Sequence, residues 1–337
     1  MTGKDRGTAL NLLTDVAGLK VGNAEDMTVR TGCTVVLCEP AAVGAVMVLG
    51  GAPGTRETDL LEPHNMVETV HALVLSGGSA FGLDAAAGVQ GVLRERGHGV
   101  NVHGQIVPIV PSAILFDLVN GGDKDWGRTP PYRRLGEDAL RNADRHFAIG
   151  SAGAGFGALA AGVKGGLGSA STHAGNGFVV GALVAANPVG AVTVGRTRHF
   201  WAAPFERDAE FGGLGLPCPL PPETAEPRLK FRELVAGAST TIGVIGTDAV
   251  LTKAEAKRLA IAAHDGYTRA IFPSHTPFDG DLVFALATGT SGRKPDPADF
   301  GLLCAAAATT MARAVARGVH AAVPLVGDLF PVWRDLT

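Results

Sequence analysis

The chain has 337 residues, of which 46% are hydrophobic and 18% are charged, and its formal net charge is −3. A chain of this size can bury a substantial core as one large domain or two. Its Lys and Arg residues are scattered, so no basic surface favours nucleic acid as a partner. No apolar run approaches the roughly 20 residues of a membrane span, and residues 1–6 lack the apolar core of a signal peptide. We therefore expect a cytoplasmic globular protein with no membrane partner.

Cysteine and histidine usage argues against disulfides and metal sites. The four cysteines form no Cys-x-x-Cys pair, and the ten histidines occur singly with no His-Glu-x-x-His motif. This pattern predicts reduced cysteines and no dedicated metal site. The 47 glycines, with only 6% aromatic residues, indicate close packing between elements and many turns with special backbone angles.

Strands and helices alternate in the first half of the chain. Short strands are predicted at 33–38 and 45–49, joined by a turn, and at 71–75. Apolar residues then recur at helical spacing from 79 to about 96, and a second helix is predicted near 136–146.

The middle of the chain combines apolar runs with a region rich in proline and glycine. The runs at 178–186 and 189–194 predict two strands separated by a turn. The composition of 203–228 is typical of an exposed linker.

The C-terminal part returns to clear alternation. Thr240 opens a β-branched strand, and Thr252 and Glu255 have the spacing of a capping box at the start of a helix. A buried strand at 282–287 and an Ala-rich helix at about 300–317 follow. Strands in hairpin-like pairs with helices packed outside predict a layered α+β sandwich.

The junction Ser239-Thr240-Thr241 is the most informative stretch of the sequence. If the bond before Thr240 is cut, this threonine gains an α-amine with a pKa of roughly 8, which can take the proton of its own hydroxyl. An ordinary strand start is the alternative interpretation, because Thr-Thr-Ile is common sheet sequence.

Other segments admit a functional and a structural interpretation. The glycine-rich loop at 76–82 could bind an anion at a helix N-terminus or form a tight turn, and the loop at 50–58 could rim a site. Lys164 is the one charge in a small-residue segment and is either a surface residue or a group near a nucleophile. Asn187 and Asp279 are either turn residues or an oxyanion donor and an acidic group at a strand edge.

Taken in order, six motifs resemble the self-processing N-terminal-nucleophile peptidases that include D-aminopeptidase of the DmpA type, β-peptidyl aminopeptidases and nylon-oligomer (6-aminohexanoate-oligomer) hydrolases. The motifs lie at 50–59, 75–83, 107–117, 187–190, 240–242 and 275–281. The resemblance implies a four-layer αββα sandwich of the DmpA and ornithine-acetyltransferase type. It also implies one peptidase domain, made as an inactive precursor and cut into an α subunit of 1–239 and a β subunit of 240–337.

The resemblance also implies roles for individual residues. Cleavage falls between Ser239 and Thr240, and Thr240 becomes the nucleophile. Asn187 matches the oxyanion donor, Lys164 matches a lysine near the nucleophile in the nylon-oligomer branch, and Asp279 matches the acidic residue that serves the nucleophile. Short peptides or oligoamides are the implied substrates, the chain is expected to form a homo-oligomer, and no cofactor is expected.

Two departures from the family pattern bear on specificity. The aminopeptidase branch carries a Glu-Thr-Tyr-Asp run, whose glutamate anchors the substrate amine and whose tyrosine helps the oxyanion. This chain has Ile114-Leu115-Phe116-Asp117 instead, which places Phe116 at the oxyanion or substrate pocket without an anchoring carboxylate. Pro277 replaces the first polar residue of the acidic motif and cannot accept a hydrogen bond through its side chain.

The sequence thus predicts an amide hydrolase that matures by self-cleavage. Two alternatives stay open on the same fold. One is an acyltransferase of the ornithine acetyltransferase type, in which the acyl-enzyme passes to an amine, and the other is a non-catalytic binding protein.

Overall fold

A computed structural model describes residues 9–230 and 239–336, so the N-terminal residues considered above lie outside it. Thirteen strands and four α-helices are formed within these ranges. The strands are β1 Leu19–Asp26, β2 Thr31–Val48, β3 Thr55–Arg56, β4 Thr69–Ser76, β5 Val100–Val102, β6 Gln105–Val107, β7 Ser112–Ile114, β8 Leu159–Ala160, β9 Val163–Lys164, β10 Gly166–Ala174, β11 Phe178–Asn187, β12 Thr240–Thr247 and β13 Leu282–Ala287. The helices are α1 Ala85–Glu95, α2 Tyr132–Arg141, α3 Lys253–Ala270 and α4 Pro297–His320.

Nine strands form one sheet, in which eight follow the order β10-β11-β12-β13-β2-β4-β7-β3 and the ninth, β1, pairs with β2 off this path. The pairs β12–β13 and β4–β7 are parallel, and the other pairs of this path are antiparallel. The long strand β2 connects the two halves of the path, because its first half pairs with β1 and β4 and its second half pairs with β13.

The sheet doubles over at β2, and three hydrophobic clusters separate the resulting four layers. The middle cluster joins the facing sides of the two sheet halves and contains Leu73, Val244 and Phe284. Each outer cluster packs two helices against the outer face of one sheet half. Helices α3 and α4 cover one half of the sheet, and α1 and α2 cover the other half. Successive strand residues point to opposite faces, so Val35 and Val36 enter different clusters. The predicted αββα sandwich is therefore confirmed.

Several predicted elements agree with the structure and two do not. The capping box at Thr252 and Glu255 begins α3, and the strand at 282–287 is β13. The predicted turn between 38 and 45 is wrong, because β2 runs through with a register shift between Leu37 and Ala42. Pro40 lacks an N–H, and a strand accommodates such a residue at an irregularity.

The apolar run at 189–194 is not a ladder strand. Its backbone makes isolated bridges from Ala191 to Phe272 and from Thr193 to Phe200. The predicted linker at 203–228 is only partly exposed, since Phe211 is buried and packs edge-on against Phe200. Aromatic burial thus overrides the proline-rich composition there.

The glycines permit close approach between helix and sheet, as their number indicates. A Cβ atom at Gly168 of β10 would lie 1.8 Å from the Ala314 carbonyl oxygen of α4. Among the described residues, α4 alone is long and apolar enough to cross a membrane, but 67% of its apolar stretch is buried inside the protein. Burial on that scale is typical of a core helix.

Candidate active site

Thr240 is the first residue of β12 and is 1% exposed. In the antiparallel ladder it pairs with Asn187, the last residue of β11. The strand on the other side of β12 is β13, and the loop that precedes β13 contains Asp279 and Gly280. The ladder therefore brings together three segments that are far apart in sequence.

The carbonyl oxygen of Ser239 receives two donors. The Thr240 hydroxyl donates to it at 2.5 Å, and the backbone N–H of Gly280 donates to it at 3.1 Å. Both residues of the Ser239–Thr240 peptide bond are buried. A carbonyl that accepts such a bond from a fixed backbone N–H is already oriented for charge to develop on its oxygen.

Glycine is required at position 280 by the nearness of Thr240. A Cβ atom there would lie 2.7 Å from the Thr240 Oγ1 and 2.7 Å from the carbonyl oxygen of Ala52. Side-chain carbons essentially never approach other atoms so closely, so a larger residue would displace either the hydroxyl or the loop.

The side-chain amide of Asn187 has a defined orientation. Its Oδ1 accepts from the Leu159 backbone N–H at 2.9 Å and from the Lys230 ammonium at 2.9 Å. Its Nδ2 donates to the Phe116 carbonyl oxygen at 3.0 Å. An Nδ2 group carries two N–H bonds, so the second remains to serve another acceptor.

Phe116 contacts Asn187 through its backbone carbonyl oxygen. The next residue, Asp117, binds a backbone amide of the glycine-rich loop at 76–82. Asp117 is buried and accepts from the Gly78 N–H at 2.7 Å and from the Thr31 hydroxyl at 2.7 Å. Burial raises the pKa of this carboxyl group. Because an internal carboxylate takes the loop amide, the structure favours the tight-turn interpretation of this loop.

Lys230 lies at the site, and the sequence analysis missed it. Its side chain is buried, and its ammonium donates to the carbonyl oxygens of Leu159 at 2.8 Å and Asn187 at 3.0 Å as well as to Asn187 Oδ1. Burial lowers the pKa of Lys230 to about 7, although Asp279, Asp281 and Asp117 each act to raise it. A lysine just beyond a proline-rich stretch gave no sequence signal.

Asp279 is buried and ties two loops together. Its Oδ1 accepts from the Val189 N–H at 3.0 Å, and its Oδ2 accepts from the Thr276 hydroxyl at 2.6 Å and the Thr276 N–H at 3.2 Å. Burial raises its pKa, and the nearby Asp281 adds to this effect. Thr276 thus provides the hydroxyl that Pro277 cannot provide.

Asp281, in the same motif, is also completely buried. Its Oδ1 accepts from the Thr241 N–H at 2.8 Å, and its Oδ2 accepts from the His275 backbone N–H at 3.0 Å and lies 3.0 Å from His275 Nδ1. This carboxylate fixes the residue that follows Thr240 in the strand. Asp281 lies within the motif at 275–281, but the sequence pattern did not predict a role for it.

Lys164 is buried, at 2% exposed, but its ammonium faces a different part of the protein. It pairs with Asp328 at 2.9 Å and lies 5.9 Å from the centre of the Phe156 ring. No hydrogen bond joins Lys164 to Thr240, Asn187 or Asp279, all of which are described residues. Across 9–230 and 239–336, no group of three or more His, Cys, Asp or Glu residues is arranged to hold a metal ion.

Comparisons with known proteins show what this chain is similar to. The description "Peptidase family S58" matches residues 11–329. An uncharacterized aminopeptidase of Mycobacterium tuberculosis is 42% identical over 345 residues, which covers 97% of this chain and 98% of that protein. A 6-aminohexanoate-oligomer endohydrolase of a Kocuria species is 31% identical over 281 residues, 81% of this chain and 74% of that protein.

Solved structures share the fold. A Burkholderia sp. beta-aminopeptidase superposes with a TM-score of 0.69 at 21% identity, over 97% of this chain and 92% of that chain. The L-aminopeptidase D-Ala-esterase/amidase of Ochrobactrum anthropi, described as a variant of the Ntn hydrolase fold, gives 0.69 at 21% identity, over 95% and 89% of the two chains. The comparisons do not favour the acyltransferase or binding-protein alternatives.

Proposed function

The chain belongs to peptidase family S58 and is an amide hydrolase, and we propose that it matures by cutting its own Ser239–Thr240 bond. The observation that carries this proposal is the Ser239 carbonyl oxygen, held by the Thr240 hydroxyl at 2.5 Å and the Gly280 N–H at 3.1 Å. A buried peptide bond in this setting has its nucleophile and an oxyanion donor in place.

The proposed cleavage proceeds by an acyl shift. Thr240 Oγ1 attacks the Ser239 carbonyl carbon, and the Gly280 N–H stabilises the charge on the oxygen. The C–N bond then breaks, and the proton that leaves Oγ1 is transferred to the Thr240 nitrogen, so that Ser239 is attached to Oγ1 as an ester and Thr240 carries a free amine. Water hydrolyses the ester and releases a free hydroxyl and a free α-amine on Thr240.

In turnover, the same hydroxyl attacks an external amide while the α-amine accepts its proton. Asn187 supports this step, because its Oδ1 is held by two donors and one N–H of Nδ2 remains for the oxyanion. Asp279 holds the Gly280 loop beside Thr240 through Val189 and Thr276.

We assign Lys164 a structural role and not a direct catalytic one. Its ammonium pairs with Asp328, and Asp328 also accepts from the Leu325 N–H at 2.7 Å. We propose that this pair holds the C-terminal loop against the segment that contains Leu159. A direct action on the Thr240 amine would require Lys164 to leave Asp328.

The two pieces remain interleaved after the cut. β12 of the second piece pairs with β11 of the first, and β13 pairs with β2. The buried Arg313 of α4 also binds Glu210 in the first piece. Such pairing would keep the cleaved protein folded, in keeping with one domain built from 1–239 and 240–337.

The proposed substrates are short peptides or oligoamides, as the names of the aminopeptidase and endohydrolase relatives suggest. We also propose a cytoplasmic location, since all four cysteines are free thiols and reduced cysteines are usual in the cytoplasm. A homo-oligomer is proposed on the family resemblance alone.

Intact-protein mass spectrometry tests the proposal. Wild-type protein is expected to give two chains that begin at Met1 and Thr240, whereas Thr240→Ala is expected to stay whole. Full-length protein that hydrolyses amides without cleavage would refute the N-terminal nucleophile. A small fragment that begins at Thr241 would move the nucleophile by one residue.

A further inference from the structure

The buried Lys230 ammonium bridges two strand ends beside Thr240. It donates to the carbonyl oxygen of Leu159 at the start of β8 and to the carbonyl oxygen and side-chain oxygen of Asn187 at the end of β11. Its own backbone N–H donates to the Val189 carbonyl oxygen at 2.8 Å. Burying a charged group costs desolvation free energy, so packing alone does not account for a lysine at this position.

We propose that Lys230 is a positioning residue for amide cleavage, which orients and polarises the Asn187 side chain so that its Nδ2 group faces the reacting carbonyl as a donor. This inference rests on the proposed function, because it assigns a second residue to the same reaction.

The orientation follows from the hydrogen bonds to Asn187. Its Oδ1 accepts from Leu159 and from Lys230. A flipped amide would set an NH2 group against both of these donors, which is unfavourable in a buried site. Lys230 therefore helps determine which end of the amide acts as the donor.

The polarisation follows from the charge. An ammonium on the amide oxygen draws electron density from the nitrogen and makes its N–H a stronger donor. Within the described part of the chain, three oxygens accept from Lys230, and a neutral amine has only two N–H groups. The charged form is thus the one that fits this arrangement.

The site gives this charge a pH dependence near neutrality. Burial lowers the pKa of Lys230 to about 7, and among the described residues Asp279, Asp281 and Asp117 act to raise it. Lys230 loses its proton as the pH rises through this value. Turnover is therefore expected to fall on the alkaline side in the wild-type enzyme.

The test uses Lys230→Met and Lys230→Arg in the full chain, with kcat expressed per Thr240 N-terminus found by mass spectrometry. Lys230→Met is expected to lower kcat by about tenfold to a hundredfold, less than the loss of a direct oxyanion donor, with a smaller change in KM. Lys230→Arg keeps a permanent charge, so it is expected to retain more activity and to lose the alkaline fall.

Lys253→Met is the matched control. Lys253 is also buried, and its ammonium donates to the Leu60 and Asn65 carbonyl oxygens away from Thr240. This variant is expected to change stability but not kcat. If Lys230→Met does not fold, the pH profile of Lys230→Arg decides the question alone.

The outcomes separate the two proposals. Wild-type protein that neither cleaves itself nor hydrolyses amides would refute the proposed function. An active wild type whose kcat and pH profile match those of matured Lys230→Met would refute the role of Lys230 alone, and an unchanged alkaline fall in Lys230→Arg would do the same.

Discussion

Gly280 donates its backbone N–H to the Ser239 carbonyl oxygen at 3.1 Å, and its lack of a side chain leaves room for the Thr240 hydroxyl. This contact joins the loop before β13 to the bond that is proposed to break. A methyl group at position 280 would lie 2.7 Å from Thr240 Oγ1. The same loop therefore supplies a donor to the carbonyl and leaves room for the nucleophile.

Gly280→Ala is expected to slow self-cleavage on the order of a hundredfold, the effect of losing one oxyanion donor, because the methyl group displaces the hydroxyl or the N–H. The ratio of full-length to cleaved chain over time measures this. Gly301→Ala is the control, since a Cβ atom there meets nothing within 4 Å. Cleavage of Gly280→Ala at the wild-type rate would contradict the assigned geometry.

Asn187→Ala is expected to lower kcat on the order of 10²–10³ in fully cleaved protein, because a transition-state donor is lost. Self-cleavage is expected to slow less than in Gly280→Ala, since it is the Gly280 N–H that contacts the Ser239 carbonyl oxygen. Asn176→Ala, whose side chain binds Asp299 elsewhere, serves as the control. Near-normal kcat in matured Asn187→Ala would remove Asn187 from the oxyanion site.

Lys164→Met and Asp328→Asn are expected to change turnover of matured enzyme to a similar, small extent, because both break the same pair. Asp328→Asn should also destabilise the fold, by about 3–5 kcal/mol if Lys164 stays buried without a counter-charge. Urea unfolding and kcat measure the two effects. A large loss of kcat confined to Lys164→Met would instead support direct action on Thr240.

N-blocked oligoamides are expected to be accepted as substrates, because the resemblance described above implies that Ile114 and Phe116 replace a carboxylate and a phenol of the aminopeptidase branch. Burying an ammonium without a counter-charge is costly. The measurement is kcat/KM for a free-amine amide and its N-acylated twin. A preference for the free amine above about a hundredfold, ~2.7 kcal/mol, would point to another anchor such as Glu57 or Asp84. Asp84 is exposed in part and already pairs with Arg133.

The fold is expected to lose stability as the pH falls from 6.5 towards 4 because of His264. Burial lowers the pKa of this histidine from 6.5 to about 4, and its Nε2 lies 2.9 Å from the Met47 carbonyl oxygen. The neutral ring fits the folded state, so the unfolded chain binds the proton first. The loss amounts to about 3 kcal/mol across this range.

Urea unfolding of uncleaved Thr240→Ala protein at pH 7 and pH 4.5 tests this expectation. Adding His264→Gln, which keeps a donor for Met47, should reduce the difference between the two pH values. The exposed His146 provides the control as His146→Gln. Equal pH dependence with and without His264 would show that other groups are responsible.

Local pattern was enough to predict most of the secondary structure and the family. The capping box at Thr252, the buried strand β13 and the order of six motifs are carried by nearby residues, and periodicity reports such features directly. Thr240 could also be read as a candidate nucleophile, because a hydroxyl residue that opens a β-branched strand is a local feature of the sequence. At Pro40 an irregularity in β2 carries the strand through the predicted turn, and in 203–228 the burial of Phe211 overrides the proline-rich composition.

The tertiary structure alone decided which groups meet at Thr240. Gly280 lies in the motif at 275–281, which gave it no role, and Lys230 lies in none of the six motifs. Both reach the site because strand pairing sets β11, β12 and β13 side by side. The tertiary structure also pairs Lys164 with Asp328 and places the Lys230 ammonium in a hydrogen bond with Asn187. A motif predicts where the backbone of a residue lies. The partner of a buried charge depends instead on the direction of its side chain and on the hydrogen-bond acceptors near it in the fold.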